Sequence, residues 1–190
     1  MGAVIEASKQ HNALATVVVG NALAATAAEP TQYLTFMLGG EAFAIGILRV
    51  KEIIEYHNIT PVPMMPDCVR GVINLRGAVV PVIDLLARFG KASSAVSKRT
   101  CIVIVEVEAE GERQVIGVVV DAVNEVLDIA AADIEPAPAF GAKIRTDFIQ
   151  GMGKVKGKFV ILLDADKVLS LSELGAFAQL GSTETALELA

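Results

Sequence analysis

Two aspartates sit at matching places in a chain that otherwise carries few groups suited to chemistry. Asp84 closes the apolar run Val79-Val80-Pro81-Val82-Ile83, and Asp164 closes Phe159-Val160-Ile161-Leu162-Leu163. A duplicated β-protein can bring one aspartate from each half to a shared cleft, as aspartic proteases do. The pair then holds one proton and its acidities split. Such a site needs an exposed tight loop of small residues behind each carboxylate. Here Leu85-Leu86 and Ala165-Asp166 follow, and both read as helix starts. N-capping of a short helix by each aspartate explains the pattern with fewer demands. A duplicated β-fold hydrolase using Asp84 and Asp164 is kept as the alternative function. The expectation is that the chain is not an enzyme.

The other reactive types are scattered. His11 and His57 have no cysteine or histidine at metal-ligand spacing, so no metal is expected. Cys68 and Cys101 follow no metal spacing either. They read as small buried hydrophobes in a reducing compartment, not as a disulfide. Gly151-Met152-Gly153-Lys154-Val155-Lys156 resembles a phosphate loop only in composition, and no cofactor is expected. The more informative charges are Glu52 and Arg76, with Glu125 and Lys156 at equivalent places in an internal repeat. If the repeated halves share a fold, both acid–base pairs should adopt one geometry or neither should. Arginine can fork onto a carboxylate and lysine cannot, so the first pair should be the tighter. Each pair reads either as a structural bridge at a strand end, worth about 0–1 kcal/mol if exposed, or as part of a docking surface.

The repeat organises everything else. Residues 42–55 return as 115–128, with Val50 on Val123, Glu52 on Glu125 and Glu55 on Asp128. Ile59-Thr60-Pro61-Val62-Pro63 returns as Ile134-Glu135-Pro136-Ala137-Pro138, and residues 71–84 return as 151–164. The offset grows from 73 to 75 to 80, as small loop insertions would make it. Short apolar runs with glycine turns predict strands: 32–38, a long bent strand or strand pair over 41–55 with Gly46 at the bend, and a hairpin of 71–75 and 78–83. The second half follows with 100–107 and 114–121 around an acidic tip, then 123–129, then a hairpin of 150–155 and 158–163. A short helix is expected after Asp84, and a terminal helix over 166–180. The fold class is therefore all-β: two small antiparallel barrels of about five strands each, spanning residues 31–90 and 99–165, with a groove between them.

Composition narrows the function class. Hydrophobic residues make up 53% of 190 residues, and mean hydropathy is +0.55. The apolar runs are far shorter than the roughly 20 residues of a membrane helix, so they read as buried strands, with no direct membrane insertion. Net charge is −6 with no basic stripe and no Trp, which argues against nucleic acid. Residues 1–30 read as a mobile or partly helical extension, not a cleaved leader. Residues 173–190 read as a helix end and tail.

One block carries a family resemblance. Gly71-Val72-Ile73-Asn74-Leu75-Arg76-Gly77-Ala78-Val79-Val80-Pro81-Val82-Ile83-Asp84-Leu85 resembles the signature of the chemotaxis coupling proteins, the CheW-like family. Phe43-Ala44-Ile45, Val50 with Glu52-Ile53, the paired prolines and Leu163-Asp164 agree, so the likeness runs from about Gln32 to Leu169, within an expected domain of residues 31–172. The resemblance implies two SH3-like five-stranded barrels sharing a core, and no catalysis. It implies a cytoplasmic adaptor at membrane receptor arrays, coupling methyl-accepting chemoreceptors to the histidine kinase CheA. The kinase regulatory domain would pair with barrel ends, and the groove would take a receptor hairpin tip. On that basis Val50, Glu52 and Arg76 are candidates for partner surfaces or for the ion pair supporting them. Cys101, Ile116 and Gly117 are candidates for the groove wall, Gly117 matching Ala44 in the first half.

Overall fold

A computed structural model describes residues 30–93, 95–138, 145–170 and 172. Eleven strands are present: β1 (Thr31–Leu38), β2 (Glu41–Gly46), β3 (Val50–Glu55), β4 (Val69–Leu75), β5 (Ala78–Asp84), β6 (Cys101–Ala109), β7 (Glu112–Val120), β8 (Ala122–Ile129), β9 (Ile134–Glu135), β10 (Ile149–Val155) and β11 (Lys158–Leu163). Two helical turns, α1 (Leu85–Arg88) and α2 (Ala165–Val168), follow β5 and β11. Asp84 and Asp164 cap them, accepting from the Ala87 and Lys167 amides.

Local chemistry explains the hairpins. Gly39-Gly40, Arg76-Gly77, Glu110-Gly111 and Lys156-Gly157 all have positive φ at both positions. A two-residue turn of that hand matches the right-handed twist of the strands it joins. Three of the four place a long charged side chain in the left-handed region, at a cost of about 1–2 kcal/mol each. Gly71 meets a different demand. A Cβ there, at φ +141°, would lie 2.1 Å from the Thr60 carbonyl oxygen. Thr60 bridges to Val72 on the edge of β4, as β9 pairs with β10. The repeated glycine thus admits a crossing segment, and the two-residue turn itself lies several residues further on.

The strands assemble as two sheets, β8-β1-β2-β11-β10-β9 and β3-β6-β7-β5-β4. These are the two five-stranded barrels, called A and B, with β9 as a short addition to A. They do not coincide with residues 31–90 and 99–165. Each barrel takes two strands from one repeat and three from the other. Barrel B is one continuous run from β3 to β7, and barrel A is completed from both sides of it. The chain crosses between barrels only twice, at a 3-10 turn Ile47–Arg49 and at Asp121. Gly46 therefore marks a crossover and not a bend within one barrel, and residues 41–55 split into strands of different barrels. Four ladders join one repeat to the other; two of them, β2 with β11 and β5 with β7, are parallel. All other ladders are antiparallel.

Packing follows from this exchange. One small core fills barrel B, around Val82, Ile102 and Ile104, and another fills barrel A, around Tyr33, Ala44 and Leu162. The largest lies between the barrels and joins Phe36, Phe43 and Ile45 to Val103, Val105, Ile116, Val118 and Phe148. A row of rings, Phe36–Phe43–Phe89–Phe148, runs through it with centroids 5.8 to 6.4 Å apart. Each fully buried side chain of this size contributes roughly 1.5–3 kcal/mol, so the junction is the main source of stability. Residues 1–29 and 173–190 lie outside the described residues, as does the expected helix over 166–180 apart from α2 and its first neighbours.

Candidate functional site

Barrel B presents the expected ion pair. Glu52 lies on β3 and Arg76 in the β4–β5 turn, at opposite ends of the sheet order. Curling of the sheet brings them together. Arg76 Nη1 and Nη2 donate to Glu52 Oε1 and Oε2 at 2.8 and 2.9 Å. The arginine side chain remains 78% exposed, so the pair is a wet surface feature and contributes at most about 1 kcal/mol. Asn74 Oδ1 accepts from the Gly77 amide at 2.9 Å and steadies the turn beneath it. Val50 opens β3 half-buried, against the central core. Neighbouring Glu106 bridges Lys51 at 2.8 Å and Arg113 at 3.6 Å. The Lys51 hydrogen bond, ahead of the nearby positive charges, holds the Glu106 carboxyl below the usual range.

Barrel A lacks the matching pair. Glu125 and Lys156 are both exposed, and no ion pair joins them among the described residues. The expectation of one shared geometry for both pairs is therefore corrected. The backbones do agree: Lys156 has φ 50° where Arg76 has 52°. The difference lies in the side chain, since an ammonium has no planar fork to span the gap bidentately.

The groove-wall candidates separate. Ile116 is fully buried in the junction core. Gly117 is also buried, and a Cβ on it would lie 2.9 Å from Ile102 Cγ2 and 3.3 Å from Val82 Cγ2. Its small size serves the parallel pairing of β7 with β5, so neither residue lines an open wall. Only Cys101 is half-exposed, its thiol donating to the Arg99 carbonyl. Cys68 is buried, and burial pushes its thiol up despite nearby Arg88.

The two aspartates do not converge. Asp84 closes a strand of barrel B and Asp164 one of barrel A. Asp84 is buried and bound by Arg70 at 2.9 Å through Nε and 2.8 Å through Nη2. Asp164 is half-exposed, with Lys167 at 3.5 Å. Each carboxylate is held by its cap and its cation, so the hydrolase alternative has no dyad to use.

Several surface residues had no clear signal in the sequence. Leu48 is 94% exposed in the crossover turn, and Val79 and Phe159 are 74% and 51% exposed. Val79 and Phe159 occupy the same repeat position, as do exposed Ile53 and Val126. Reading outward positions of repeated strands for apolar residues would have found these pairs. No helix among the described residues is long and apolar enough to cross a membrane.

Known proteins share this geometry. A family model described as a CheW-like domain matches residues 32–173. The chain is 38% identical over 143 residues to a chemotaxis protein CheW of Klebsiella aerogenes, covering 75% of this chain and 84% of that one. It is 33% identical over 142 residues to one of Rhizobium meliloti, covering 75% and 89%. A solved scaffolding protein, TtCheW of Thermoanaerobacter tengcongensis, superposes with TM-score 0.66 at 37% identity, covering 73% of this chain and 87% of that one.

Proposed function

This chain belongs to the CheW-like family, and from that membership we propose that it couples methyl-accepting chemoreceptors to the histidine kinase CheA. The coarse function is that of a non-catalytic adaptor in chemotaxis signalling. The finer assignment concerns which partners it joins and with which surfaces. The observation that carries it is the exposed Glu52–Arg76 bridge, whose arginine stands in the family's most specific sequence block. An exposed pair adds little to stability, so its geometry is free to serve recognition. Val50, Glu52 and Arg76 form or support the surface for the kinase regulatory domain. Cys101, half-exposed at the start of β6 opposite Glu55, is kept as a candidate for the groove wall. Glu125 and Lys156 hold the equivalent place on barrel A and offer a second end with the same charges but without the bridge. The receptor's helical hairpin tip is assigned to the junction between barrels, as a helix in a groove. Such an adaptor works in the cytoplasm, at the membrane receptor array.

The test is kinase autophosphorylation with receptor membranes, with and without this protein. Activation supports the coupling role. Arg76→Ala and Glu52→Ala should each reduce it with circular dichroism unchanged. No activation by the parent protein, together with no capture of either partner, would reject the assignment.

A further inference from the structure

The two barrels carry the same irregularity at the same place and fill it differently. The ladder of β3 with β6 slips between Val50 and Glu52. The ladder of β8 with β1 slips at the equivalent place, where the step from Phe36 to Leu34 faces the longer step from Val123 to Val126. Each slip is a bulge, with an extra residue on the outer strand. Beyond it the barrels part. In barrel B Glu52 is registered directly opposite Ile104. The counterpart of Ile104 on β1 is Thr35: Ile104 faces Gly117 and Thr35 faces Ala44, which the repeat superposes. The register of β1 with β8 passes over Thr35 and Glu125. The threonine hydroxyl takes over there. Thr35 Oγ1 donates to the Glu125 carbonyl at 2.7 Å and accepts from the Glu125 amide at 3.2 Å. Thr35 is 3% exposed, so these bonds are made away from water; Ile104 is fully buried and has no polar atom to offer. A hydroxyl inserted into a ladder holds the two backbones further apart than direct pairing would. Glu125 is thus carried off the place that Glu52 holds.

We infer that Thr35 is the positioning residue that keeps the barrel A end unbridged, and so lets the kinase regulatory domain tell the two ends apart. The inference rests on the reading of the Glu52–Arg76 bridge given above and deepens it, by naming what withholds the same surface from barrel A. The lysine at position 156 is one cause of the missing bridge; Thr35 is the other, and it acts through the backbone of Glu125. An arginine at 156 would therefore still find its carboxylate displaced. Barrel B meets a partner with a preformed fork of two hydrogen bonds. Barrel A meets it with two separate charges, which fits a different arrangement of partner groups.

The experiment uses the full chain with isotope-labelled arginine, and the isolated kinase regulatory domain. A guanidinium forked onto a carboxylate turns slowly about its Nε–Cζ bond, so its two Nη nitrogens give separate signals. Arg76 of the parent is the reference. Lys156→Arg alone should give no separate signals from position 156, because Thr35 still holds Glu125 away. Thr35→Val with Lys156→Arg should give them, since the Glu125 amide and carbonyl, robbed of the hydroxyl, pair with the β1 backbone. Thr35→Ser with Lys156→Arg keeps the hydroxyl and should match Lys156→Arg. In binding, Arg76→Ala should weaken the kinase domain about tenfold, and adding Thr35→Val and Lys156→Arg together should recover about threefold. A merely structural Thr35 would lower the melting temperature and move neither readout. Thr35→Ile, which installs the barrel B residue, replaces Thr35→Val if that variant folds poorly. Separate signals from Lys156→Arg alone, or none from the double variant, overturn the inference. A second bridge without recovered binding overturns the role of Thr35 in telling the ends apart. Unchanged binding by Arg76→Ala overturns the kinase-surface reading, and the discrimination with it, even where the arginine spectra come out as expected.

Discussion

The β4–β5 hairpin of barrel B and the β10–β11 hairpin of barrel A are the same object with different surfaces. Residues 71–80 and 151–160 show the same pattern of buried, intermediate and exposed positions, residue for residue. Inward positions keep their burial, even where the residue differs: Gly71 and Gly151, Ile73 and Gly153, Val80 and Val160. Outward positions diverge. Asn74, Arg76 and Ala78 on one hairpin face Lys154, Lys156 and Lys158 on the other. The barrel interior constrains half of each strand and leaves the other half free to acquire a partner. Duplication therefore preserved a fold and split a surface.

The largest expected difference between the hairpins is steric. Gly71→Ala should destabilise by about 3–4 kcal/mol in urea unfolding, because its Cβ meets backbone at 2.1 Å with φ +141°. Gly151→Ala should cost less, about 2 kcal/mol, since the nearest atom at 2.6 Å is the Ile134 Cγ2 methyl. Equal losses would break the comparison.

Next come the capping aspartates. Asp84→Asn leaves a partly buried Arg70 without its carboxylate and should cost about 2–3 kcal/mol. Asp164→Asn should cost about 1 kcal/mol or less, as its site is wetter. Thermal unfolding of both variants checks the order.

Smaller in stability, but sharper in function, is the exchange of turn cations. Arg76→Lys should stay within about 1 kcal/mol of the parent in unfolding and still lose much of the kinase activation. Lys156→Arg should move neither stability nor activation appreciably. A loss of activation from Lys156→Arg as large as that from Arg76→Lys would show that the two ends work alike.

The smallest effect is pH-dependent. Glu106 is held below its ordinary range by Lys51, so its contribution is present at neutral pH and lost as acid protonates it on the low side of that range. Glu106→Gln should flatten a slight loss of stability on acidification. An unchanged acid profile would count against the Lys51 bridge.

The repeat, the strands and both caps could be read from the chain, because alternation, glycine turns and capping are local signals. The pairing of strands could not. Nothing in residues 41–55 tells that β2 stays in one barrel while β3 enters the other; the break at Gly46 looks like an ordinary bend. Burial of Ile116 and Gly117 depends on that exchange, so their assignment to a wall failed with it. Glu52 and Arg76 meet because the curl of the sheet brings a turn arginine onto a strand glutamate. Leu48 was invisible, since one leucine among Ile45, Ile47 and Val50 carries no sign of pointing outward.

The continuous run of barrel B between two crossovers has a mechanical consequence. A pull applied at β1 and at α2 enters barrel A from both sides. Along the backbone it reaches β3 and β7 only through the Ile47–Arg49 turn and Asp121. Barrel A is therefore the part the backbone loads first, and barrel B, with its arginine-bearing end, is loaded sideways, through the Asp166–Glu108 contact and the shared core.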